Sequence, residues 1–279
     1  MSRVRRMEEL ACLIVGGTGG IGLATARRFL FEGARVVVSG RSEAEAAEAR
    51  ASLAGLGTAW AVAADATVPD SVAALFDHAL DRLDGRLDVL YHVAGLSGRR
   101  FGDGALHECS EQGWDAVLNA NAKSVFLTNR QAVRRMREQP IDENGLRGTV
   151  LNMGSVLARS PSPDFFGTFA YAASKGAIEA MTRNAAARYA RERVRFNLIA
   201  PALIDTPMAA RAVADPAIRA YLAAKQPMAA GPGTPDDCAE AALYLCEPAS
   251  RFVTGTVLTV DGGWSVSEGQ VTGPLYIDG

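Results

Sequence analysis

Short apolar runs rich in β-branched residues alternate along this chain with longer stretches whose apolar positions recur every three or four residues. The short runs, residues 11–15, 35–39, 59–64, 87–93, 149–153, 195–199 and 256–260, read as strands. The longer stretches read as helices. One runs from the glycines at 16–22 to a stop near Gly33, one opens on the capping-box pattern Ser42-x-x-Glu45, and one is capped by Asp70 and runs to Leu83. Residues 110–119, 122–138, 171–190 and 235–246 supply four more. Helices between successive strands require parallel pairing with right-handed crossovers. The pattern therefore predicts an α/β, doubly wound, seven-stranded parallel sheet with helices on both faces. No linker, repeat or low-complexity run divides it, so residues 11–264 read as a single domain between an N-terminal extension, 1–10, and a C-terminal tail, 265–279. Two irregular stretches, 95–109 and 200–234, follow the C-terminal ends of strands, where ligands bind in open α/β sheets. Both are candidates for recognition, and the helix formers at 209–224 predict a short surface helix within the second.

Composition narrows the class. Of 279 residues, 48% are hydrophobic, enough for a sizeable core. A net charge of −2 gives no basic footprint for nucleic acid. No apolar run approaches the ~18 residues of a membrane helix. Three arginines precede Leu10, but Glu8 and Glu9 follow them and the apolar run to Val15 ends in glycine, too short for a signal peptide. Cys12, Cys109, Cys238 and Cys246 show no C-x-x-C spacing, so neither a disulfide framework nor a metal site is expected and a cytoplasmic location fits.

The first strand runs directly into Gly16-Gly17-Thr18-Gly19-Gly20-Ile21-Gly22 and then into a helix with Leu23, Ala26 and Leu30 on one face. Glycines spaced G-x-x-x-G-x-G allow a tight turn, a close backbone approach to a ligand and close packing of helix on strand. The free N–H groups at the helix start suit a pyrophosphate. Further along, Tyr171-Ala172-Ala173-Ser174-Lys175 places an ammonium one helical turn from a phenol, where it favours the ionised phenol and so a proton donor or acceptor near neutrality.

In order along the chain, Gly16-x-x-x-Gly20-Ile21-Gly22, Asp65, Ala94-Gly95, Asn121, Ser155, Tyr171-x-x-x-Lys175, Asn197, Pro201 and Val260-Asp261-Gly262-Gly263 resemble the short-chain dehydrogenase/reductase family over nearly the whole length. The resemblance implies a Rossmann fold and an NAD(P)(H)-dependent oxidoreductase. Within it Tyr171 is the general acid/base and Ser155 orients the substrate carbonyl. Lys175 holds the nicotinamide ribose and lowers the Tyr171 pKa, and Asn121 supports a water and proton relay. Thr18, Gly19, Ala66, Ala94 and Gly95 fall with the glycine turn and Asp65 among the expected cofactor contacts, Asp65 against the adenine. Pro201, Ile204 and Thr206 lie toward the carboxamide. An alkoxide left by hydride transfer needs a proton donor and a hydrogen-bond donor at its oxygen, which agrees with this set.

The departures are Val15 for a frequent Thr, His92-Val93 for the usual Asn-Asn, Ala202 for a Gly, and about three extra residues between Ser155 and Tyr171, which reshape the pocket wall at 159–169. His92 is expected to fill the Asn niche structurally. At the end of the second strand, Ser39-Gly40-Arg41-Ser42 presents no carboxylate to select NAD; Arg41, with the hydroxyls of Ser39 and Ser42, suits a 2′-phosphate, so NADP(H) is expected ahead of NAD(H). The expected substrate is a small-molecule carbonyl or alcohol, with Arg99 and Arg100 as possible anion contacts or solvated loop charges and Phe165, Phe166 and Phe169 as an apolar wall. A dinucleotide-sensing or scaffold protein on the same fold is the alternative reading, and an S-adenosylmethionine methyltransferase a remoter one that has no need of Ser155, Tyr171 and Lys175. By analogy with the family, a homodimer or homotetramer is expected, and the apolar face of Val125, Phe126 and Val133 on one helix and Ile178, Met181 and Ala185 on another either meets the partner or faces the sheet.

Overall fold

A computed structural model describes residues 5–268 of the chain. Its seven strands are β1 Ala11–Val15, β2 Arg35–Gly40, β3 Ala59–Ala63, β4 Val89–His92, β5 Gly148–Met153, β6 Val194–Pro201 and β7 Val257–Val260. They form one all-parallel sheet in the order β3-β2-β1-β4-β5-β6-β7, so the sequence order reverses between β1 and β4. The carboxyl ends of those two strands diverge there into a crevice.

β1 is buried along its whole length, and its side chains alternate between two cores. Cys12 and Ile14 pack with Phe29, Val36, Val38 and Leu243 on one face of the sheet. Ala11, Leu13 and Val15 pack with Phe76, Leu90, Met136 and Phe196 on the other. The first face is covered by α1 Gly20–Phe31 and α10 Pro235–Cys246, with α2 Glu43–Leu53 beside β2 and β3. The second is covered by α3 Pro69–Arg82, α5 Ser124–Glu138 and α7 Phe169–Tyr189. α4 Glu111–Leu118 packs at the end of α7.

Several boundaries depart from the sequence reading. Asp70 does not cap α3: Val68 occupies the cap position without a side-chain bond, Pro69 opens the helix, and Asp70 sits in the first turn. The two helices expected at 110–119 and 122–138 are joined without a break by a π-helical turn, Asn119–Lys123. Residues 200–234 hold two helices, α8 Ala210–Ala214 and α9 Pro216–Lys225, where one was expected, and the extra length before Tyr171 holds α6 Pro163–Phe166.

The N-terminal extension is part of the body from Arg5 onward, since Met7 is fully buried and its N–H donates to the Glu32 carbonyl; residues 1–4 lie outside the described residues. Of the C-terminal tail, residues 269–279 lie outside them, and Ser267 is tied back by hydrogen bonds to Lys225. Of the apolar face read as either pairing surface or sheet-facing, Val125, Val133 and Ile178 are buried within the chain, Met181 and Ala185 are half-buried, and Phe126 is exposed. Among the described residues no helix is long and apolar enough to cross a membrane.

Candidate active site

The glycine turn is held by contacts that tolerate no side chain. Gly16 has a φ of +83°, and a Cβ there would lie 2.6 Å from the backbone nitrogen of Ala94. A Cβ on Gly22 would lie 2.2 Å from the Gly16 carbonyl oxygen, so α1 sits against the turn at a distance only glycine permits. α1 then begins at a Gly19 cap with no side-chain bond and no acid in its first turn, which leaves its N–H groups and positive dipole end free for an anion.

That helix start opens into a cavity of about 760 Å³ along the carboxyl ends of the strands. Gly16, Thr18, Gly19, Gly20 and Ile21 line one end; Ser39, Arg41, Asp65 and Ala66 lie beyond them; Ala94 and Gly95 form the middle. Ser155, Tyr171 and Lys175 line the far wall, with Pro201, Ile204 and Thr206 opposite. The extended volume, the glycine cradle and the uncapped helix fit a dinucleotide. Three residues assigned from the sequence do not line it. Gly22 acts by packing behind the turn, and the Ser42 hydroxyl accepts from the Glu45 N–H as the cap of α2.

Asn121 is the third, and it is fully buried in the π turn. Its Oδ1 accepts from the Leu96 N–H at 2.8 Å, and its Nδ2 donates to the Leu96 carbonyl at 3.1 Å and to Ser174 Oγ at 3.0 Å. All of its side-chain groups thus pin the loop after β4 to α7. The extra turn residue aims Asn121 inward where a regular helix would carry it past.

The β2 end also needs correction, because it does hold a carboxylate. Glu45 folds back from α2, its Oε2 accepts from the Arg41 N–H at 2.7 Å, and both Glu45 and Glu48 line the cavity. The sequence reading stopped at Ser42 and took Glu45 only as part of a capping box; the Ser42 half of the box forms, but the Glu45 carboxylate reaches one residue past the cap to the Arg41 N–H and so returns to the strand end. Asp65 accepts from the Thr67 N–H and hydroxyl, and these bonds, with Arg41 nearby, hold its pKa below the usual carboxylate range.

Tyr171 and Lys175 share one face of α7, with Nζ 5.5 Å from the phenol ring centroid. Lys175 is buried and donates to the Met153 carbonyl at 3.0 Å; burial lowers its pKa to about 8. For Tyr171 the direction is opposite to that expected from the spacing. Burial raises the phenol pKa, and a hydrogen bond with Ser155 offsets part of the rise, so the group rests protonated. Ser155 stands at the end of β5 as the cap of a short 3₁₀ turn, its Oγ accepting from the Leu157 N–H at 3.2 Å.

His92 takes the structural place foreseen for it. It is fully buried on β4, Nδ1 is 2.8 Å from Thr128 Oγ1 and Nε2 is 3.2 Å from Ser124 Oγ. Burial first, and Lys175 second, push its pKa down to about 3, so the ring is neutral.

Sequence reasoning missed Asp103. α7 has no side-chain cap of its own at Thr168; instead the buried Asp103 carboxylate, from the loop after β4, accepts from the Ala170 N–H at 3.0 Å and the Tyr171 N–H at 2.9 Å. An acid at a helix start is a familiar stabiliser. Here it arrives from 68 residues away, so no local pattern announces it.

Residues 16–265 match the family profile described as Enoyl-(Acyl carrier protein) reductase. The chain is 35% identical over 258 residues to cis-4-hydroxycyclohexanecarboxylate dehydrogenase of Sinomonas cyclohexanicum, covering 92% of this chain and 97% of that protein. It is 35% identical over 259 residues to 3beta-hydroxysteroid dehydrogenase 1 of Eggerthella lenta, covering 92% and 94%. Among solved structures it resembles a 3-ketoacyl-(acyl-carrier-protein) reductase from Brucella melitensis complexed with NADH, with a TM-score of 0.81, 28% identity and coverage of 93% and 100%. With Ser155, Tyr171 and Lys175 gathered on one cavity wall, the chain belongs to the short-chain dehydrogenase/reductase family and is an oxidoreductase of CH–OH groups.

Proposed function

We propose that the cavity takes NADP(H) in preference to NAD(H) and that the protein reduces a ketone or other carbonyl compound to an alcohol, with Tyr171 as the proton donor. The observation that carries this reading is the convergence of Ser155, Tyr171 and Lys175 on the wall of a cavity that runs back to the glycine turn. Bound nicotinamide supplies or accepts the hydride. Ser155 then directs its hydroxyl at the carbonyl oxygen, and Tyr171, protonated in its buried setting, passes its proton to the developing alkoxide. Lys175 is charged below a pKa of about 8, close enough to the ring to hold the phenolate that results and to reach a ribose hydroxyl. Asn121 keeps the loop after β4 and α7 in register through Leu96 and Ser174.

For the cofactor, Arg41 is the supporting residue: it lines the cavity and makes no ion pair among the described residues, so its guanidinium is available to a 2′-phosphate. Glu45 and Glu48 oppose that preference with negative charge, and Arg41 must outweigh them. The functional test is oxidation of NADPH and NADH with a panel of ketones, wild type against Tyr171→Phe. Turnover is expected to fall by about a hundredfold or more in the variant while cofactor affinity stays, as for loss of a positioned general acid. Full activity in Tyr171→Phe removes the mechanism, and an equal or higher kcat/KM with NADH removes the cofactor preference. A homodimer or homotetramer meeting at the outer side of α5, where Phe126 is exposed, goes with this reading and is checked by light scattering.

A further inference from the structure

Charge is unevenly distributed around the cavity. Its acids, Glu45, Glu48 and Asp65, all lie at the end beside β2 and β3. Beyond Ser155 and Tyr171 the lining carries no acid and two arginines, Arg99 and Arg211. Arg99 sits on a 3₁₀ turn, Arg99–Phe101, after β4, and its Nη2 donates to the Phe165 carbonyl at 2.7 Å, which holds the guanidinium across the gap to α6. Arg211 projects from α8. Neither is in an ion pair among the described residues, and the two guanidinium groups are near enough that Arg211, after burial, is a cause of the lowered Arg99 pKa. Asp103, whose charge acts on Arg99, makes no ion pair with it, because both carboxylate oxygens are engaged by the N–H groups of Ala170 and Tyr171. Arg100, considered together with Arg99 on sequence, lies over the Phe101 ring and does not line the cavity.

Behind the arginines stands an aromatic wall. Phe166 and Trp264 meet edge to face at 5.7 Å, Tyr221 meets the same Trp264 at 5.7 Å, and Phe165 lies 4.8 Å from Tyr221. A ligand seated here meets apolar surface on Phe166 and two exposed guanidinium groups, and any ligand that covers those groups is held better if it carries an anion than if it is neutral.

We infer that the substrate is an anionic ketone or alcohol with an apolar body, its carboxylate, phosphate or sulfonate head held between Arg99 and Arg211 while its body lies on Phe166, which the buried Trp264 backs. The inference rests on the reductase reading above for what happens to the carbonyl, and on the two arginines for which molecule enters.

The probes are 4-acetylbenzoate and its neutral methyl ester, which share a ketone and a ring and differ by one charge. Calorimetric binding to the cofactor-loaded protein, which needs no turnover, is expected to favour the acid by about tenfold or more. Arg99→Ala and Arg211→Ala should each lower the acid-to-ester affinity ratio several-fold, Arg211→Glu should reverse it, and Arg99→Lys should restore part of it. In kinetics the same change should appear in KM and not in kcat. Equal binding of acid and ester by the wild type overturns the inference, as does a loss in the variants that falls equally on both. If Arg211→Ala instead weakens cofactor binding and leaves the ratio alone, the anion it meets is the cofactor's phosphate and the inference fails. The two readings separate cleanly: binding of the acid without any ketone turnover defeats the reductase reading and leaves the arginine clamp standing, whereas turnover of the ester with no preference for the acid does the reverse.

Discussion

At the end of the cavity beside β1, β2 and β3, most contributing groups lie at a strand end or in the turn that follows it, Gly16 to Gly20 after β1, Ser39 and Arg41 at β2, Asp65 and Ala66 after β3, with Glu45 and Glu48 added from α2. At the opposite end the wall is assembled from Arg99, Phe166, Arg211 and Trp264, which belong to four separate segments that follow β4, β5, β6 and β7. The first end is specified by backbone geometry and leaves no room for a side chain at Gly16 or Gly22. The second is specified by side chains on loops, which is where one scaffold changes its substrate without changing its chemistry.

The sharpest way to break this contrast is Gly22→Val. The added Cβ has no room beside the Gly16 carbonyl, so α1 must shift outward and cofactor affinity should fall by about a hundredfold or more, as for a misplacement of roughly 1 Å. A fluorescence titration with NADPH measures it, and an unchanged affinity means the cofactor end is not set by backbone contact.

Asp103→Ala acts where the two halves meet. It leaves two N–H groups at the start of α7 unpaired, so kcat is expected to drop by about tenfold and the melting temperature to fall, with cofactor affinity kept. The pH–kcat profile reads whether the phenol has moved with the helix start that carries it. A variant that is destabilised with an unmoved profile has lost only a helix cap.

Arg41→Ala should reduce kcat/KM for NADPH by up to about tenfold with little change for NADH, and Glu45→Gln should raise the NADPH value a few-fold. Gly40→Asp is a poor probe of the same question, because its Cβ would lie 2.4 Å from Thr18 Oγ1 and 2.8 Å from the Glu45 carboxylate.

His92 leaves stability unchanged near neutrality, and its effect is confined to acid. Its pKa is depressed to about 3 in the folded chain against 6.5 when exposed, so between those values the unfolded chain binds the extra proton and stability falls as pH is lowered. The slope is at most about 1.4 kcal/mol per pH unit. Urea unfolding of wild type and His92→Asn from pH 7 to 4 should show the steeper decline in the wild type only.

The sequence was most informative where function depends on short range. β1 with its glycine turn, and the Tyr171–Lys175 pair one helical turn apart, are local objects, and periodicity with residue chemistry finds them. The parallel sheet followed from the alternation of strand and helix. What escaped was long-range or reciprocal. Asp103 caps a helix far along the chain, and Glu45 turns back to the strand before it. Tyr171 titrates according to its burial, which four residues of sequence do not reveal. Phe165, Phe166 and Arg99 were visible as residue types, but the aromatic wall they share with Tyr221 and Trp264 exists only after α6, α9 and the turn following β7 come together.

The π turn at Asn119–Lys123 amounts to one residue too many in an otherwise continuous rod from α4 to α5. Each residue of an α-helix turns the chain by about 100°. Deleting a single codon in this turn would let the hydrogen-bond ladder run regularly and is expected to make the rod itself more stable, yet it would rotate Asn121 away from Leu96 and Ser174 and leave the loop after β4 without its anchor. The chain thus holds, in one helix, a mutation that gains order and loses the active site. Selection for thermal stability alone would be expected to find it, and selection for turnover to reject it.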